Sequence, residues 1–150
     1  MTSNTEDSTV LNSLIATLLD SVDGYQKSAA DISDPTLADK FNARARERQA
    51  AVAKLQAAVA TAGGTPEDES SLLGSAHRAF MDLKEAVMGQ DEKSILSEVD
   101  RGEDYLKAKF EAALNNADLS ANARSAVLEA WTSVREGHDE MSALKHSLGA

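Results

Sequence analysis

The chain has 150 residues, 42% of them hydrophobic and 27% charged, which is the composition of one globular domain and not of a disordered segment. Its formal net charge of −10 repels phosphate backbones and anionic lipid, which argues against nucleic acid and membrane surfaces as partners. The absence of cysteine excludes disulfides, thiolate zinc sites, iron–sulfur ligation and a cysteine nucleophile.

Aromatic residues make up only 4% of the chain and alanine is abundant, so the expected elements are helices. Residues 1–7 are polar and acidic and are expected to form a flexible tail, with 8–150 as a single domain. The N-terminus has no basic region and no apolar signal core, and no run is long enough to span a membrane. A cytoplasmic location is the expectation. A first helix is predicted from about Ser8 to about Ile32, on the apolar stripe Leu11, Ile15, Leu18, Val22, Tyr25, Ala29 and Ile32. Asp34-Pro35 supplies an N-cap followed by proline at the first helical position.

The second helix runs from Pro35 to about Ala62, with the stripe Leu37, Phe41, Ala45, Arg48, Val52, Leu55 and Val59. Gly63-Gly64 ends it and Pro66 prevents its resumption. The short connection makes the first two helices an antiparallel hairpin. A third helix is predicted from about Leu72 to Met88. The fourth runs from about Glu92 to Leu114, with Ile95, Val99, Glu103, Leu106, Phe110 and Ala113 in register. Ser120 caps a last helix carrying Val127, Trp131, Val134, His138, Met141 and Lys145, ending near Leu148.

Lengths argue the topology. The third helix, at about 26 Å, is shorter than the other four, which exceed about 33 Å. The reading is all-α: a ferritin-like antiparallel four-helix bundle with an additional crossover helix between its two hairpins.

Arg48, Glu103 and His138 interrupt apolar stripes near the middle of their helices, and Tyr25 brings a hydroxyl at the matching level. Burying an unpaired charge is costly, whereas a cluster can satisfy its members. These four are the candidate mid-bundle polar network; the alternative is that the stripe positions are half-buried and the side chains reach out to solvent. Bundles of this kind also hold di-metal sites, built from a Glu on each of two helices and Glu-x-x-His on the other two. No Glu-x-x-His occurs here, and the residue three before His138 is Arg135. The remaining donors are Asp23, Glu47, Glu98, Glu103 and His138, a poor set for a carboxylate di-metal centre and at most a weak mononuclear one. No catalytic residues and no cofactor are expected. No phosphate loop, nucleophile elbow or His-Glu-x-x-His motif is present.

Several segments carry a resemblance: Leu11-Asn12-x-Leu14-Ile15, Asp20-x-x-x-Gly24-Tyr25, Asp34-Pro35 and Arg48-Gln49. His77-Arg78-x-Phe80-Met81-Asp82-Leu83-Lys84, Arg101-Gly102-Glu103-Asp104 and Val134-Arg135-x-x-His138-Asp139 add to it. Together they resemble an uncharacterised bacterial domain-of-unknown-function family of ferritin-like four-helix-bundle proteins, from about residue 9 to about residue 146. The resemblance implies a ferritin-like bundle and no particular activity. The functional expectation is a non-enzymatic structural or interaction protein, with stress as its setting and a homodimer through a helix face as one form of assembly. The alternative is a metal-binding or oxidoreductase protein of ferritin-like type using Glu103 and His138.

Overall fold

A computed structural model describes residues 2–68 and 92–147, with side chains from Glu6 onward. The described residues form four helices: α1 (Thr2–Asp31), α2 (Pro35–Thr61), α3 (Glu92–Leu114) and α4 (Ala121–Ser147). The helix expected over Leu72–Met88, with His77, Arg78, Asp82 and Lys84, lies outside the described residues. No helix among the described residues is long and apolar enough to cross a membrane.

Local chemistry sets the helix ends. The Asp34 carboxylate accepts from the Thr36 and Leu37 backbone N–H groups ahead of α2, with Pro35 at the first helical position. Gly63, at φ +87, takes the left-handed conformation that ends α2. The Asn116 side chain accepts from the Asp118 N–H in the α3–α4 turn, and Ser120 Oγ accepts from the Ala123 N–H at the start of α4.

At the N-terminus, α1 begins at Thr2, ahead of the start expected near Ser8. Asp7 gives the reason. It is 3% exposed, and its Oδ1 accepts from the Ser120 backbone N–H at 2.9 Å. Asp7 thus reaches back to the N-cap N–H as the acid of a capping box does, but from another helix. Local polarity reads as a tail because this partner is far away in sequence.

Contacts fix the helix directions. Asp7, at the start of α1, meets the start of α4. Ser33, just beyond α1, donates to Glu92 at the start of α3, 3.5 Å away. Lys40 and Arg44, early in α2, pair with Glu140, late in α4. Lys145, late in α4, pairs with Asp100, early in α3. Hence α1 and α4 run one way and α2 and α3 the other. Neighbouring helices are antiparallel, in the cyclic order α1, α2, α4, α3. After α2 the chain folds over α1. Asn12 donates to the Thr65 carbonyl at 3.0 Å and accepts from the Glu67 N–H at 2.8 Å.

The buried apolar side chains form two clusters. One holds Leu11, Leu18, Leu55, Phe110 and Val127 towards the end where α1 starts. The other holds Val22, Tyr25, Phe41, Leu96 and Met141 towards the opposite end. The level between them is polar.

Candidate functional site

Between the two clusters, Arg48 on α2 faces Glu103 on α3 across the diagonal of the bundle. Both have the buried faces of their helices to thank for the position: Arg48 continues the row Phe41, Ala45, Val52, and Glu103 the row Val99, Leu106, Phe110. Arg48 is 0% exposed and Glu103 is 2% exposed. Nη1 donates to Oε1 at 2.8 Å and Nη2 to Oε2 at 2.7 Å, a bidentate fork-to-carboxylate pair. Nη1 also donates to Ser21 Oγ on α1 at 2.8 Å. The guanidinium carbon lies 5.6 Å from the centre of the Tyr25 ring, within cation–π range. One guanidinium therefore ties α1, α2 and α3 at a single level.

Burial opposes the charge on Arg48, and Glu103, by its charge and its hydrogen bonds, more than restores it, so the Arg48 pKa is raised. Burial, followed by the negative charge of Glu103, pushes the Tyr25 phenol well above its ordinary pKa of 10.0. Tyr25 is thus a neutral phenol. Its hydroxyl makes no well-formed hydrogen bond among the described residues; Glu103 is the nearby acceptor, close enough to raise the phenol's pKa through its charge and through a weak side-chain hydrogen bond.

The structure does not bring His138 to this group. Its Nε2 meets Asp104 Oδ1 at 2.6 Å and its Nδ1 meets Asp139 Oδ1 at 3.3 Å, in the α3–α4 groove. The reason lies in the α4 seam, which runs Ala123, Val127, Ala130, Val134, Gly137, Met141. Its spacing is helical, but three positions, Ala123, Ala130 and Gly137, are small. Trp131 and His138, one residue further on, carry the stronger side-chain signal and are only half-buried. Gly137 is what α4 presents to the pair. A Cβ there would stand 2.3 Å from Arg48 Nη2 and 3.1 Å from Arg44 Nε.

Arg44, Ser21, Gly137 and Glu140 complete the polar level, and stripe reading passes over them. Arg44 sits one turn before Arg48 and is 8% exposed. It donates to Glu47 and to Glu140, each at 2.9 Å, and Ser133 on α4 also donates to Glu47, at 2.7 Å. The available signal was the i, i+4 pair of arginines on α2 together with the lone glycine inside α4.

The weak metal candidates are dispersed. Glu103 is engaged by Arg48, and Glu47 by Arg44 and Ser133. Glu98 pairs with Arg101. Asp23 is half-buried and stands about 200° around α1 from Tyr25. Among the described residues no three His, Asp or Glu side chains form a group that could hold a metal ion. Glu103 and His138, paired in the metal-binding alternative, have separate partners.

The sequence matches Domain of unknown function (DUF2383) over residues 6–116. The chain belongs to this family. No curated protein matches it. The matched stretch contains α2, α3 and nearly all of α1, and so Ser21, Tyr25, Arg48 and Glu103. It ends before α4, which carries Gly137 and His138.

His138 supports a pH prediction. Partial burial pushes its pKa down, and the bonds to Asp104 and Asp139 more than offset this, leaving it raised from 6.5. A histidine raised in the folded state contributes its stability fully below the unfolded value and loses it as pH rises through the folded value. Stability is therefore expected to fall as pH increases from about 6.5 upward through the raised pKa. The partner Asp104 is largely exposed, so the effect is small. Urea midpoints across this range should show the decline, and His138→Gln should flatten it. An equal slope in both proteins would remove His138 as its source.

Proposed function

We propose that this protein is a cytoplasmic, ferritin-like bundle with a non-enzymatic structural or interaction role. In this reading the Arg48–Glu103 pair stands where related bundles place a metal centre. The observation that carries it is the engagement of both Glu103 oxygens by one buried guanidinium. A guanidinium supplies there the positive charge that a metal would bring, and its fixed fork suits the carboxylate. A carboxylate so engaged has little left to offer a cation, and its bundle neighbours Ser21 and Tyr25 are neutral. Such a pair sets helix register more than it adds stability.

The test is an anaerobic Fe(II) titration followed by oxygen. The expected result is no oxo-bridged absorption band and no stoichiometric iron after desalting. A band at one or two irons per chain would overturn the reading.

The reading includes a crossover helix that joins the hairpins. It is supported by α2 ending and α3 beginning at opposite ends of the bundle. Spin labels at Ala38 and Lys93 should report a short separation, with both helix starts at one end. A separation of about 40 Å, one bundle length, would contradict this topology.

A further inference from the structure

Beside the Arg48–Glu103 pair is a small cavity between α1 and α3. Its volume is about 20 Å³, and Ser21, Gly24, Tyr25, Ser28, Val99, Gly102 and Glu103 line it. That is room for one water-sized molecule and for nothing much larger. Every lining side chain is buried, and among the lining residues Gly102 is half-buried.

The lining is unusually polar for the middle of a bundle. It contains three hydroxyls and one carboxylate, and one of the hydroxyls is poorly satisfied. The Tyr25 residue is 3% exposed, and its hydroxyl makes no well-formed hydrogen bond among the described residues, with only a weak interaction to the Glu103 carboxylate. A buried hydroxyl left unpaired costs free energy comparable to a lost hydrogen bond. Empty cavities in proteins are apolar, whereas a polar cavity with two to four partner groups holds water.

We propose that this cavity is a binding site for a single water molecule, which joins the Tyr25 hydroxyl to the Glu103 carboxylate. The phenol, being neutral, donates to the water. The water donates to a Glu103 oxygen, each of which already accepts one bond from Arg48 and has a second lone pair. Ser21 or Ser28 is placed to complete its coordination. Ser21 already accepts from Arg48 Nη1, which leaves its own proton free for this purpose. The water thereby extends the charged pair to Tyr25 and couples α1 to α3 through a neutral, exchangeable ligand. The inference holds whatever the cellular role of the bundle, because it rests only on the cavity and its lining.

Two measurements on the full chain test it. A crystal structure at a resolution that shows ordered solvent should place one water within hydrogen-bond distance of Tyr25 Oη and of a Glu103 oxygen. In solution, long-lived water cross-peaks should appear at the Tyr25 ring and the Ser28 β-protons. Tyr25→Phe removes one partner and should abolish these cross-peaks while leaving the backbone spectrum of α2 and α4 in place. An empty cavity, a Tyr25 hydroxyl bonded directly to Glu103, or cross-peaks that persist unchanged in Tyr25→Phe would each overturn the proposal.

Discussion

Replacing Arg48 by Ala is expected to destabilise the protein by about 3–5 kcal/mol, the range for removing one member of a buried ion pair. The loss comes less from the bond itself than from what remains. Glu103 is 2% exposed, and its two oxygens take their hydrogen bonds from Arg48. Without the guanidinium a carboxylate stays behind in the buried middle of the bundle, with only neutral hydroxyls beside it. It must then take up a proton or draw in water, and either route costs stability.

The matching double substitution separates the charge effect from the packing effect. Arg48→Met with Glu103→Leu strands no charge and fills most of the volume, so it should recover most of the loss. Ser21 is left without Arg48, and a helical serine of this kind can turn its hydroxyl to the carbonyl four residues back. Urea midpoints at constant m-value give the comparison. Single losses within about 0.5 kcal/mol of zero, as for ordinary surface changes, would show that the pair is hydrated and not a fixed element of the fold.

The residues of this site differ in how far their sequence context exposes them. Arg48 and Glu103 stand out because each occupies a helical stripe whose other members are Phe, Leu, Ile, Val or Ala, and long polar side chains there need a reason. The helix ends are equally plain, since Asp34 and Ser120 act through bonds to residues two or three away and Pro35 and Gly63 through their own backbone angles. The α4 seam is hidden because it is marked by absence. Ala130 and Gly137 give no hydrophobic signal, so the stripe shifts by one residue onto Trp131 and His138, which fit the same four-and-three spacing. Only the volume of the facing guanidinium decides between the two registers, and that volume belongs to α2. Asp7 is hidden for a similar reason, because its capping partner Ser120 lies in the last helix.

Gly137→Ala follows from that hidden register and should destabilise the protein, against the usual direction for a glycine inside a helix. Helix propensity alone favours alanine by about 1 kcal/mol. Here the new methyl group would stand 2.3 Å from Arg48 Nη2 and 3.1 Å from both Cδ and Nε of Arg44. The tip of an exposed arginine would swing away at little cost. The Arg48 tip is held by Glu103 and Ser21 with no exposed surface to move into, so the strain passes to the ion pair or to the spacing of α2 and α4. Overpacking of this kind costs about 1–3 kcal/mol, and loosening the pair adds to it, so a net loss of about 2 kcal/mol is expected. The sign should depend on Arg48. In an Arg48→Ala background the 2.3 Å conflict is gone, leaving the milder contacts with Arg44, and Gly137→Ala should become neutral or stabilising by less than about 1 kcal/mol. A double-mutant cycle by urea unfolding reads the coupling directly. If Gly137→Ala stabilises both backgrounds equally, α4 does not press on Arg48, and the glycine is in the seam for some other reason.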